Sequence, residues 1–208
     1  MIELYISSLI TFFVVIDPPG CAPIYAGLTT GADAQQRRSM ALRAVLVAAA
    51  ILLVFALFGE ALLNGLGINL ASFRIAGGIM LFLIALEMVF EKRTERREDR
   101  AAKVAATPEV EDVSIFPMAM PMIAGPGSIA SVMLLMGRAK GLEPSLIVLG
   151  ALATILLLTL LALLAAGPIM RVLGAKIEAV ITRLLGVLLA ALAVQFVIDG
   201  VRISLQGS

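Results

Sequence analysis

Ile16-Asp17-Pro18-Pro19-Gly20-Cys21-Ala22-Pro23 lies inside the first long apolar run of the chain, and no uninterrupted helix accommodates it. Proline has no N–H, so Pro18, Pro19 and Pro23 deprive the carbonyls of Val14, Val15 and Pro19 of their helical donors. Asp17 adds a charge at the same depth. A second stretch, Pro121-Met-Ile-Ala-Gly-Pro-Gly-Ser128, repeats the interruption. There Pro117, Pro121 and Pro126 strip donors from the carbonyls of Val113, Pro117 and Met122, while Gly125 and Gly127 permit backbone angles closed to other residues. Ile16 to Cys21 aligns on Ile123 to Ser128, with Pro19 on Pro126 and Gly20 on Gly127.

The solvent around these breaks follows from composition. Of 208 residues, 61% are apolar and 15% charged, with a mean hydropathy of +1.05, which is more apolar surface than one water-soluble core of this size hides. A helix needs about 20 apolar residues to cross roughly 30 Å of hydrocarbon. Such runs extend from Leu4 to Leu28, Leu42 to Leu66, Leu70 to Phe90, Val113 to Met136, Ser145 to Ala166 and Ile177 to Leu205. Their continuity argues against a barrel, whose strands alternate. No Lys or Arg precedes Arg37, so the first run lacks the basic flank of a cleavable signal and reads as span one. With one cysteine and no histidine, the chain has no internal disulfide and lacks the commonest metal ligand. Nothing implies a cofactor, and a net charge of +1 gives no hint of a nucleic-acid partner.

The alignment extends to other spans: Gly59 falls on Gly167, Gly78 on Gly186 and Glu87 on Gln195. Each half has three spans, so the second half starts on the opposite face from the first, the inverted plan of many secondary transporters. The expected fold is all-α, a polytopic membrane protein of six transmembrane helices. Residues 1–90 form a first three-helix repeat, 91–112 a charged cytoplasmic linker and 113–208 a second repeat, with spans one and four broken at the Pro/Gly motifs. Arg37, Arg38 and Arg43, the stretch from Lys92 to Lys103, and Arg171 with Lys176 share one face, whereas the other holds chiefly Arg138, Lys140 and Arg202. The positive-inside rule then places both termini outside, which in a bacterial inner membrane means the periplasm. The alternating signs from Glu91 to Arg100 read as a solvated extension of span three.

Irregular backbone survives in lipid only inside protein or beside water, so both breaks are expected to face a cavity. Past each break the chain resumes as a half-helix, whose first N–H groups, at Gly20, Cys21 and Ala22 and at Gly127, Ser128 and Ile129, stand at a positive end. Inversion brings the two ends toward the midplane from opposite sides, a site suited to a carboxylate. Asp17, Gly20, Cys21, Gly125, Gly127 and Ser128 are the expected substrate-binding set. Asp17 with the carbonyls of Val14 and Met122 is expected to take an ammonium or the coupling cation. The alternative is that the prolines only kink two helices and Asp17 caps the second half of span one. Glu60, Glu87 and Gln195 form a second rank of polar residues. Arg74, Arg183, Glu60 and Asp199 lie near span ends, where snorkelling or pairing accounts for them. Gly77, Gly78 and Gly186 read as close helix contacts. Small-xxx-small spacings are too common here to predict a homo-oligomer.

Taken with this span pattern, Ile16-Asp17-Pro18-Pro19-Gly20 with Pro23, and Pro121 to Ser128, resemble the motifs of the MarC family over essentially the whole chain. The resemblance implies a six-span bacterial inner-membrane protein related to amino-acid exporters. Some members are described as proton-driven transporters of small neutral amino acids such as glycine and alanine. The reading is therefore a secondary transporter of such solutes, H+-coupled, working by alternating access and not an enzyme. Its rivals are a channel or efflux protein for another small solute, and an intramembrane enzyme with Asp17 and Asp199 as an acid pair, against which Asp199 lies near a span end and no Ser-His or metal-ligand set exists.

Overall fold

The computed structural model describes residues 1–90, the positions Lys92, Arg96, Glu98, Asp99 and Ala102, and residues 112–206, the side chains of 168–179, 181 and 206 excepted. Most of the 91–112 linker, and with it most of the run from Lys92 to Lys103, lies outside the described residues, as do the side chains of Arg171 and Lys176.

Helix α1, Ile2–Ile16, stops where Asp17 adopts a left-handed conformation (φ 61°, ψ 66°). Helix α2, Pro18–Leu28, resumes at once with Pro18 and Pro19 in its opening positions, where the missing N–H would have had no helical partner anyway. Helix α3, Ala34–Gly65, begins well before the apolar run it contains. Asp33 accepts the Gln36 N–H at 2.7 Å while Gln36 Oε1 accepts the Asp33 N–H at 3.0 Å, a reciprocal cap that starts the helix early. Arg37, Arg38 and Arg43 consequently ride on helix and not in a loop. Asn69 caps helix α4, Leu70–Val89, through the Ser72 N–H at 2.7 Å.

The second half opens with a wide-wound segment, Ser114–Ile123. Phe116 (φ −125°, ψ 126°) and Met120 (φ −131°, ψ 124°) are extended, as residues preceding proline prefer. Hydrogen bonds here reach back five residues, from the Met118 N–H to the Val113 carbonyl at 3.3 Å and from the Ala124 N–H to the Ala119 carbonyl at 2.9 Å. The Val113 carbonyl, expected to be orphaned by Pro117, is thus served by the next residue along. Helices α5, Pro126–Met136, α6, Leu142–Leu164, and α7, Ala166–Gln206, complete the chain.

Ile2–Leu28, Ala34–Gly65, Leu70–Val89, Leu142–Leu164 and Thr182–Leu205 are each long and apolar enough to cross a membrane. Ser114–Ile123 with Pro126–Met136, bent by 52°, makes a sixth if counted as one span. Leu46, Leu53, Leu57, Phe58, Leu157, Leu161 and Leu184 face outward, an apolar exterior that water would penalise and lipid does not.

Within this shell α1 packs on α6, α3 on Ser114–Ile123 and α5, and α4 on α7 in the most extensive interface. Helices α4 and α7 run antiparallel, because Gly78 meets Ala193 and Val197, Gly186 meets Ala85 and Met88, and Gly200 meets Ala71 and Ile75. The backbones nearly touch: a Cβ at Gly78 would stand 2.8 Å from the Ala193 carbonyl oxygen, and one at Gly200 2.9 Å from that of Ala71. Gly78 and Gly186 are therefore packing residues, as the small-residue reading anticipates. Gly78→Val or Gly186→Val should lower the thermal unfolding midpoint in detergent by an overpacking cost of roughly 1–3 kcal/mol. Gly150→Ala, whose added Cβ meets nothing within 4 Å, should leave the midpoint unchanged or raise it when both are followed by the loss of the monodisperse chromatographic peak on heating.

Candidate functional site

At the first break Asp17 is 3% exposed and folds back onto the helix it begins. Its Oδ1 accepts the Gly20 N–H at 3.1 Å, its backbone carbonyl accepts the Cys21 N–H at 3.0 Å, and its own N–H donates to the Phe13 carbonyl at 2.9 Å. Glycine at position 20 leaves room for that carboxylate, since a Cβ there would stand 2.3 Å from Asp17 Oδ2 and displace it from the cap. In an unbroken helix the Gly20 N–H would serve the Ile16 carbonyl. The Cys21 thiol donates to that carbonyl instead, at 3.5 Å. The N–H groups of Gly20 and Cys21, expected to await a ligand, are thus engaged by Asp17, and the positive end of α2 already holds a carboxylate.

The second break has the same backbone problem without the acid. Gly125 (φ −79°, ψ 173°) precedes α5, Pro126 fills its first position, and no side chain caps it. The Ser128 hydroxyl donates to the Ile123 carbonyl at 2.7 Å, spanning this break as the Cys21 thiol spans the first. Gly125 is required because a Cβ would stand 2.3 Å from the Pro121 carbonyl oxygen, while a Cβ at Gly127 would stand 2.6 Å from Ile84 Cδ1 and push that side chain aside.

Beside this uncapped turn lies a cavity of about 650 Å³. Gly125, Pro126, Gly127 and Ser128 form its polar end, Val15, Ile84 and Phe116 supply apolar wall, and Glu87 and Arg96 complete it. Glu87 and Arg96 pair at 2.8 Å, so the cavity carries a carboxylate, a guanidinium and the positive end of a helix together.

The predicted residues divide accordingly. Gly125, Gly127, Ser128 and Met122 line the cavity, and Glu87, ranked second from sequence, joins them. Asp17, Gly20 and Cys21 stay at the first break and do not line it. Val14 lines a separate cavity of about 290 Å³ with Ser7, Thr11 and Leu192, while Met122 lines the first. Glu60 lines a third cavity, of about 510 Å³, with Met133 and Gly137 near the far end of α5. Gln195 donates to Asp199 at 2.8 Å. Asp199 also pairs with Arg138, whose guanidinium stacks 4.2 Å from the Phe196 ring centre, so Asp199 belongs to a different network from Asp17. Arg74, expected to snorkel or pair, is buried and donates to the Gly137 carbonyl at 3.1 Å, where its charge meets the negative end of α5. Sequence reasoning missed Ile84 and Arg96. The charged run containing Arg96 resembles any solvated helix face, and nothing in its spacing marks the partner at Glu87.

Known proteins match the chain over nearly its whole length. The family model described as "MarC family integral membrane protein" matches residues 2–205. A UPF0056 membrane protein of Methanocaldococcus jannaschii is 36% identical over 204 residues, covering 97% of either chain. The UPF0056 membrane protein YvbG of Bacillus subtilis is 33% identical, covering 97% of this chain and 96% of its own. The UPF0056 inner membrane protein YhgN of Escherichia coli K12 is 32% identical, covering 97% and 98%. No solved structure matches the chain. A multi-pass helical architecture, a family match over nearly every residue and relatives of equal length lead to one assignment: the chain belongs to the MarC family of integral membrane proteins.

Proposed function

We propose that the protein is a secondary carrier of small neutral amino acids, of the glycine and alanine type, across the inner membrane, with both termini on the outer face. The observation that carries the reading is the uncapped first turn of α5 opening into a cavity that also holds Glu87 and Arg96. A carboxylate suits the N–H groups of Gly127 and Ser128 at that positive end. An ammonium suits Glu87, which it would take over from Arg96. Gly125 and Gly127 add no side-chain bulk at the polar end, and the cavity admits a small solute with its water.

Alternating access follows from the inverted plan, which the packing supports. Gly78 meets Ala193 and Val197, and Gly186 meets Ala85 and Val89, each set being the repeat mates of the other. The Cys21 and Ser128 hydrogen bonds across the two breaks are mates as well. The halves differ where it matters for coupling. Asp17 holds the end of α2, whereas Ala124 stands in the matching place before α5. Protonating Asp17 removes the charge that suits it to the helix end, so a proton taken up there loosens one break while the other holds the solute.

In proteoliposomes, radiolabelled alanine and glycine should accumulate when a pH gradient is imposed. Asp17→Asn should reduce accumulation to the level seen without a gradient while exchange of alanine for alanine persists. Unaltered gradient-driven uptake in that variant would remove Asp17 from coupling, and an electrical conductance without saturable exchange would replace the carrier with a channel. Glu87→Gln should raise the KM for alanine roughly 10- to 100-fold, the loss expected of a charge-assisted hydrogen bond. An unchanged KM would move the ammonium elsewhere.

A further inference from the structure

The cavity beside α5 is lined by the segment Ser114–Ile123, the turn from Gly125 into the start of α5, one face of α4, Arg96 and, from α1, Val15 alone. On the reading of the chain as an inverted-repeat carrier, on which this step rests, each lining residue has a mate in the other half. Pro121 has Val14, Ile84 has Leu192, Gly127 has Gly20, Ser128 has Cys21 and Glu87 has Gln195. Val15 and Met122 are mates of each other, and both line the same cavity, so it reaches the axis that relates the halves.

We propose that the chain has a second solute cavity, closed in this structure, opening on the face opposite residues 91–112 and lined by Val14, Gly20, Cys21, Leu192 and Gln195. Three observations support it. The cavity of about 290 Å³ is lined by Val14 and Leu192, the mates of two residues of the open one, so part of the mirrored space exists already. Ser8, the mate of the lining residue Ile115, is fully buried and its hydroxyl has no hydrogen-bond partner among the described residues. A buried hydroxyl in that state is costly, and opening the mirrored space would give it water or solute to bond. Finally, the interface between α4 and α7 is reciprocal about Gly78 and Gly186, a contact that rocking of one half on the other can preserve.

The second cavity accepts the same class of ligand, a small zwitterion, on different terms. Gln195 is neutral where Glu87 is charged, and the Asp17 carboxylate already occupies the helix end at which a solute carboxylate would arrive. Binding there requires exchange with Asp17, so the solute is held less tightly on this face than beside α5.

Cys21 is the chain's only cysteine, fully buried in this structure, and therefore reports the mirrored state directly. A membrane-impermeant maleimide would be applied to each face of oriented vesicles, with a protease site inserted between residues 91 and 112 to identify that face. Wild-type protein should be labelled at Cys21 only from the opposite face. Met120→Cys in a Cys21→Ser background should be labelled only from the 91–112 face. Met120→Trp, which adds bulk to a half-exposed position of the open cavity, should shift the population and speed Cys21 labelling about threefold or more. Labelling of Cys21 from the 91–112 face, from both faces alike, or not at all while Met120→Cys reacts, would overturn the proposal. Alanine transport alongside any of those results would leave the carrier standing without this cavity. One-sided labelling without amino-acid transport would keep the cavity and remove the substrate.

Discussion

A backbone carbonyl without a donor is expensive in hydrocarbon, and proline creates such carbonyls wherever it enters a span. Here the chain breaks twice, and each time a small side chain one turn into the following helix reaches back to the last carbonyl before the break. The Cys21 thiol serves Ile16 and the Ser128 hydroxyl serves Ile123. These contacts let two interruptions persist at the centre of a helical bundle without water on every polar atom. The surroundings are built to suit them: Gly20 leaves room for Asp17, Gly125 for the Pro121 carbonyl, and Gly127 for Ile84 and Val15.

The same solution used twice leaves unequal results. Asp17 closes the first helix end with its own carboxylate, buried and held by the Gly20 N–H. At the second break the matching residue is Ala124, no side chain caps the helix, and a cavity stands beside it. Helix α5 is thus charged at both extremes, with Arg74 against its terminal carbonyl at Gly137 and its opposite, positive end presented to the cavity. One break is closed by a side-chain carboxylate and the other opens on a cavity, and the proposed carrier function rests on that difference.

Much of this could be read from residues alone, because side-chain chemistry determines it locally. Pro18, Pro19 and Pro126 cannot continue a helix, and continuous apolar runs need lipid. What sequence could not supply was direction and distance. Asp17 is legible as a buried acid that either binds or caps, yet whether its carboxylate faces a ligand or its own helix depends on a left-handed φ and one rotamer. Val14 and Met122 were expected together because their carbonyls lose donors alike, but packing sends them to different cavities. Glu87 stands only in the second rank by sequence, because nothing in the spacing of the charged run marks Arg96 as its partner. Arg74 sits near a span end, as snorkelling residues do, and turns inward because the end of α5 offers it a carbonyl.

The central claim is that the uncapped start of α5 holds a carboxylate. Equilibrium binding of alanine and of alaninamide to the purified protein in detergent tests it most directly, because the two ligands are near-isosteric and differ at the group meant for the helix end, a carboxylate against a neutral amide. Alanine should bind more tightly by roughly 10- to 100-fold, the worth of one charge-assisted hydrogen bond to the first turn. Equal binding of the two would contradict the account, since it would mean that the helix end takes no part in recognition.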